Sequence, residues 1–188
     1  MASLFADAGA AVIDSDELNR AQLRSPELIG ELKSWWGKSI CHASGELNRE
    51  QIAEIIFGDP AQRRRLEGIL HPRIARQRER LIAAHQRDPS IRAIVLDTPL
   101  LIEAELDRRC DAVVFVDADH GVRQDRVTRI RGWTQAEWRQ RENSQKALDK
   151  KRNRADYVLV NNSSDLAELR SAVCDLLGAL GLSHGNGA

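Results

Sequence analysis

Ala11-Val12-Ile13-Asp14-Ser15-Asp16 joins a short apolar run to one carboxylate at its end and another two residues on. Unbroken apolar runs of this length suit strands covered on both faces, as in a parallel sheet; a half-exposed strand alternates instead. Three more such runs follow: Ile94-Val95-Leu96-Asp97, Ala112-Val113-Val114-Phe115-Val116-Asp117 and Tyr157-Val158-Leu159-Val160-Asn161. Three of the four runs end in Asp and the last in Asn. Ligands of open α/β sheets bind beyond the carboxyl ends of the strands, so these endings predict the site.

The residues between the runs read as helices. Ser25-Pro26-Glu27 is an N-cap followed by Pro in the first turn, and Asp59-Pro60 repeats the pattern before Leu66, Ile69 and Leu70 on one face. A further helix is predicted to begin near His71-Pro72. After the third run, Asp119 to Arg131 and Thr134 to Gln145 read as two charged helices around Gly132. Asp165 to Leu180 is a closing amphipathic helix, and Ser183 to Ala188 a frayed tail. Alternating strands and helices predict one doubly wound α/β domain over 1–188, with a helical insertion at 17–90 and a charged region at 119–154.

A chain of 188 residues with 28 Lys+Arg against 28 Asp+Glu has no global field to draw nucleic acid or an anionic membrane. Anion affinity is therefore local, and the arginines cluster: Arg63-Arg64-Arg65, Arg123 to Arg131, Arg139 with Arg141, and Lys150 to Arg154. Cys41, Cys110 and Cys174 are far apart with no C-x-x-C pair, which suggests neither a zinc site nor a disulfide framework and fits a reduced cytoplasm. The apolar runs reach about half a bilayer span at most, and the N-terminus has no basic start before an apolar stretch, so neither a membrane span nor a signal peptide is expected.

Several constellations suggest chemistry, each beside a plainer role. Asp14 and Asp16 fit a base that orients an alcohol for phosphoryl transfer, whereas Asp16 could equally cap a helix starting at Glu17. Leu96-Asp97-Thr98-Pro99-Leu100-Leu101-Ile102-Glu103 has the form of an apolar strand closing on a metal-water Asp, a form common in turns as well. The arginines from Arg126 to Arg141 fit a lid over a triphosphate, or a solvated helix face paired with Glu137 and Glu142. His71 suits a ligand contact or a structural role, and Trp35, Trp36, Trp133 and Trp138 suit base stacking or packing. Gly37-Lys38-Ser39 ends like G-x-x-x-x-G-K-[ST], but Leu32 stands where the first glycine belongs and no strand precedes it. No other stretch of the chain fits that pattern.

Taken in order, these segments resemble the dephospho-coenzyme A kinase family across nearly the whole chain. Phe5-Ala6-Asp7-Ala8-Gly9 running into Val12 to Asp16 is similar to its first helix and second strand. Gly45-Glu46-Leu47-Asn48-Arg49, Ile56-Phe57 and Leu66-Glu67-Gly68-Ile69-Leu70-His71-Pro72 resemble its helical acceptor subdomain. Asp97-Thr98-Pro99-Leu100-Leu101-Ile102-Glu103-Ala104 resembles its third-strand loop. Arg141 to Gln145, Lys151-Arg152, Ala155-Asp156-Tyr157-Val158 and Asn161-Asn162 resemble its lid and adenine side.

The resemblance implies a three-layer α/β/α sandwich of the P-loop kinase type, with a helical acceptor subdomain and an Arg-bearing lid. The implied activity is transfer of the ATP γ-phosphoryl group, with Mg2+, to the ribose 3′-hydroxyl of dephospho-coenzyme A. Its partners are then small molecules, not nucleic acid or membrane. By position Asp16 is the implied base, and Asp14 its polar neighbour acting through water near magnesium. Arg49, His71, Pro72, Pro99, Leu100 and Leu101 line the acceptor site, Arg141 reaches the ATP phosphates, and Asn161 lies beside the adenine. Arg126, Arg129 and Arg131 compete for the family's other lid arginine; no residue is assigned as a direct metal ligand.

The family also places an apolar strand and a Gly-Lys-Ser-Thr loop just before the helix that here starts at Met1, and that strand is central in its order 2-3-1-4-5. The expectation is that the coding DNA continues in frame upstream for roughly 15–20 residues encoding both. Without the strand, the Val12 and Ile94 runs either pair across a gap with the Val113 and Val158 runs or leave it open. Two rivals stand beside the kinase: a non-catalytic relative that keeps only the acceptor pocket, and nucleic-acid binding through the arginine clusters, which acidic neighbours disfavour.

Overall fold

A computed structural model of the chain describes residues 1–132, 134–136, 138–139, 148–162 and 165–182. In order these form α1 (Ala2–Asp7), β1 (Ala11–Asp14), α2 (Ser15–Leu23), α3 (Pro26–Trp36), α4 (Arg49–Gly58), α5 (Pro60–His85), β2 (Ile94–Asp97), β3 (Val114–Asp117), α6 (His120–Arg131), α7 (Leu148–Arg152), β4 (Tyr157–Val160) and α8 (Leu166–Ala179). All strand pairing is parallel: Ala11 to Asp14 of β1 faces Ile94 to Asp97 of β2, and Val114 to Asp117 of β3 faces Tyr157 to Val160 of β4. Among the described residues no ladder joins the two pairs. Strand β3 begins at Val114, so Ala112 and Val113 precede it; the Val113 amide is held instead by the Asp156 carboxylate at 2.8 Å.

The chain forms two compact units, Gly9–Thr98 and Met1–Ala8 with Pro99–Ala188. In Gly9–Thr98 the helices gather around Leu28, Leu32, Ile40, Leu47, Ile52, Leu66 and Leu70. Leu28, Leu32 and Ile40 are wholly excluded from solvent, each burial contributing about 1.5–3 kcal/mol. Polar caps set the helix starts: Ser25 Oγ accepts from Leu28 N at 3.2 Å, Asn48 Oδ1 from Glu50 N at 3.1 Å, and Asp59 Oδ1 from Ala61 N at 2.7 Å. Gly37-Lys38-Ser39 lies past the end of α3, where Gly37 takes φ 80° and Lys38–Ile40 forms a 3₁₀ turn that drives Ile40 into this core. It follows a helix and serves packing.

In the other unit α1 packs on α8, with Leu4 and Phe5 buried on the first and Leu169, Val173, Leu176 and Leu177 on the second. Arg170 Nη2 of α8 pairs with Asp7 Oδ2 of α1 at 3.1 Å. The backbone after α6 turns at Gly132, whose φ of 64° is a left-handed helix end that glycine adopts without a Cβ clash.

One expected boundary is wrong. No helix begins at His71-Pro72; α5 runs without a break from Pro60 to His85 with Pro72 inside it. Pro72 has no amide to offer the Gly68 carbonyl, and its ring crowds that turn. Packing on both sides offsets the defect: Leu66 and Leu70 bury into the helical core, and α5 also packs along α2. Because Pro72 is exposed, Pro72→Ala should restore the missing hydrogen bond and stabilise the chain by about 1–3 kcal/mol. Urea denaturation would show a higher midpoint; a lower one would mean that Pro72 itself stabilises α5.

Candidate active site

In the unit Gly9–Thr98 the carboxylates gather where β1 and β2 end. Asp14 and Asp97 are register partners. The Asp14 carboxylate caps α2, accepting from the amides of Asp16 at 2.7 Å and Glu17 at 3.1 Å. The helix therefore starts at Ser15, two residues earlier than a cap at Asp16 would allow. This overturns the plainer role offered for Asp16: the cap is Asp14. The Asp16 side chain, exposed in the first turn of α2, accepts no hydrogen bond among the described residues. Arg20 stands one turn on, 2.8 Å from Glu17 and 3.7 Å from Asp14; the Glu17 hydrogen bond, helped by the charges of Asp14 and Asp16, raises its pKa.

Partial desolvation at the strand end raises the Asp97 carboxyl above its ordinary value, and the negative charges of Asp14 and Asp16 add to it. No group of three His, Cys, Asp or Glu among the described residues is close enough to hold a metal ion. Arg49 is the exposed first residue of α4, and His71 and Pro72 lie exposed midway along α5. Among the described residues no hydrogen bond or ion pair links Arg49 or His71 to the strand-end carboxylates. Trp35 serves packing here: Trp36 meets it edge-on with centroids 5.8 Å apart, and the Arg65 guanidinium lies 3.9 Å over its ring.

In the other unit Lys151 of α7 holds the segment after β2. Its Nζ donates to the Pro99 carbonyl at 2.9 Å and pairs with Glu103 at 3.1 Å. The segment closes on itself, with Ala104 N donating to Leu100 O and Leu106 N to Leu101 O, both at 2.9 Å, and leaves the Leu100 side chain about half exposed, 49%. Beyond β3 and β4, Arg126 of α6 donates to the Asn161 carbonyl at 2.6 Å, Asn161 N to Asp117 O at 2.7 Å, and Asp119 N to Asn162 Oδ1 at 2.7 Å. A hollow of about 160 Å³ opens there, lined among others by Phe115, Asp117, Arg123 and Arg152, with Arg152 paired to Asp117.

The structure thus joins Arg126 to Asn161. Arg131 ends α6, and Arg141 and Gln145 lie outside the described residues, as do Trp133, Glu137 and Glu142. Trp138 is buried, meeting His120 edge-on with centroids 4.7 Å apart. The sequence reading placed Arg123 and Arg152 only within arginine clusters and missed the pairing of Arg152 with Asp117. The signal was present, since Asp117 closes the third apolar run, but a charge partner 35 residues away has no local spacing to announce it.

Two outcomes follow from these contacts. A carboxyl whose folded pKa is raised favours the protonated, folded state: its stabilisation is complete below the ordinary carboxylate value of about 4 and is lost as pH climbs through the raised value. Asp97→Asn should therefore unfold at higher urea than the parent at pH 7 and match it near pH 4; equal pH profiles would mean that the Asp97 carboxyl is not raised on folding. Lys151→Met should cost about 1–3 kcal/mol by stripping a charged donor from Pro99 and Glu103. Hydrogen exchange at the Ala104 and Leu106 amides would speed accordingly, and unchanged protection would show that the segment holds itself.

The CoaE dephospho-CoA kinase family matches residues 1–168. The dephospho-CoA kinase of Syntrophotalea carbinolica is 38% identical over 182 residues, covering 96% of this chain and 85% of that protein. That of Anaeromyxobacter dehalogenans is 37% identical over 163 residues, covering 85% and 76%. The crystal structure of TT1252 from Thermus thermophilus superposes with a TM-score of 0.78 at 30% identity over 95% of this chain and 89% of that one. The dephospho-CoA kinase from Campylobacter jejuni, at 18% identity and a TM-score of 0.63, shares the fold. This chain, with its paired parallel strands and carboxylates at their ends, belongs to the dephospho-CoA kinase family.

Proposed function

We propose that the protein transfers the γ-phosphoryl group of ATP to the ribose 3′-hydroxyl of dephospho-coenzyme A, with Asp16 as the base. The observation that carries this is the division of labour at the head of α2. Asp14 takes the capping hydrogen bonds, leaving the Asp16 carboxylate unbonded at the carboxyl end of a parallel strand pair. A hydroxyl there can donate to Asp16 and surrender its proton as the phosphoryl group arrives. The family match over residues 1–168 favours this over a non-catalytic relative.

Mg2+ would enter with ATP as substrate, and Asp14 and Asp97, register partners at the strand ends, would be the carboxylates to hold its water ligands. Arg49, His71, Pro72, Pro99, Leu100 and Leu101 contact the acceptor. Arg126, through its hold on Asn161, positions the adenine side, and Arg131 and Arg141 serve the phosphates. A cytoplasmic location suits these substrates; among the described residues no helix is long and apolar enough to cross a membrane.

The test is Asp16→Asn in the enzyme as its gene encodes it. Turnover should fall about 10²–10⁴-fold, the usual contribution of a positioned base, while dephospho-coenzyme A affinity holds. Near-normal turnover would remove Asp16 from the chemistry. Arg141→Ala should lower kcat more than it raises the acceptor KM, because a lid guanidinium acts on charge that develops in transfer; a change confined to the acceptor KM would move Arg141 to the other pocket.

A further inference from the structure

Helix α5 carries a stripe unconnected with the residues above. Arg73, Arg76, Gln77 and Arg80 recur at spacings of three and four, which sets them along one face. With Gln22 of α2 they line an open cavity of about 320 Å³ within the unit Gly9–Thr98. Arg73 is tied to Glu31 at 3.0 Å, and Gln22 Nε2 donates to Gln77 Oε1 at 2.7 Å, which leaves the Gln77 amide NH₂ as a donor toward the groove. Arg76 and Arg80 are exposed and make no hydrogen bond or ion pair among the described residues.

Two like charges one turn apart, with Cβ atoms about 6 Å from each other, repel. An anion between them removes that repulsion, and guanidinium binds phosphate through paired parallel hydrogen bonds. We infer that the α2–α5 groove is a phosphate subsite in which Arg76 and Arg80 clamp the diphosphate bridge of the acceptor substrate. Two guanidiniums at this spacing match two linked phosphates better than one. Helix α2 relates the subsite to the proposed base: Asp16 stands in its first turn and Gln22 six residues on, about 9 Å along the axis. In dephospho-coenzyme A a single ribose separates the 3′-hydroxyl from the 5′-diphosphate, so one helix can serve both ends of that nucleoside. The choice of occupant rests on the kinase reading; the anion site itself does not.

The test is calorimetric titration of the chain with inorganic pyrophosphate, dephospho-coenzyme A and adenosine, each against the parent and Arg76→Gln/Arg80→Gln. The double variant should lose about 100-fold in affinity for pyrophosphate and for dephospho-coenzyme A, about tenfold per guanidinium, with adenosine affinity unchanged. Pyrophosphate that fails to bind the parent, or binds both proteins equally, overturns the subsite. Pyrophosphate affinity lost while dephospho-coenzyme A affinity stays overturns the assigned occupant. A parent that binds pyrophosphate through these arginines but not dephospho-coenzyme A overturns the kinase reading and leaves the anion groove standing. Should the Gln pair fail to fold by circular dichroism, Arg76→Lys/Arg80→Lys keeps the charge without the paired bonds. It should weaken pyrophosphate about tenfold, and an unchanged affinity would again overturn the clamp.

Discussion

The Asp14 carboxylate, bonded to two amides at the head of α2, is the interaction on which the candidate chemistry depends. It satisfies donors that a helix start leaves orphaned, and it does so from the last residue of a strand. Strand end and helix start are thereby locked in one geometry, with Asp97 fixed opposite by register. The cap frees Asp16. Had Asp16 been the cap, its oxygens would have been committed to backbone amides and unable to orient a hydroxyl.

The other unit uses the same economy of main-chain contacts. Asn161 binds Arg126 and β3 through its backbone, so its side chain is not needed to fasten the strand ends. Lys151 bridges a carbonyl and a carboxylate and so fastens the Pro99–Glu103 segment to α7. Arg154 likewise neutralises buried Asp107. Lys151 and Arg154 thus each meet an opposite charge where a charged group leaves water, as partial burial requires.

Helix α5 does three things along its length. Its leucines complete the helical core, its arginine stripe borders α2, and Pro72 sits exposed at a turn where the backbone lacks a hydrogen bond. A helix of 26 residues, about 39 Å long, tolerates one such defect because its ends are anchored by different contacts.

Strands β1 and β2, the capped helix starts at Pro26 and Pro60 and the closing helix α8 were all legible in sequence, because their signals are local. Apolar runs, Ser-Pro and Asp-Pro caps and helical periodicity act within a few residues. The order of motifs, from Asp14-Ser15-Asp16 through Leu-Glu-Gly-Ile-Leu-His-Pro to Asp97-Thr98-Pro99, likewise sufficed to suggest the family. What needed tertiary structure was decided at a distance. Pro72 reads locally as a helix start, and only packing on both sides of it makes one continuous α5. Asp16 reads locally as the cap of α2 until the strand's end point selects Asp14. The pairing of Asp14 with Asp97, of Lys151 with Glu103 and of Arg152 with Asp117 joins residues 35 to 83 positions apart. No local pattern encodes such partners, because strand register and charge interactions both depend on separation in space and the fold alone sets that separation.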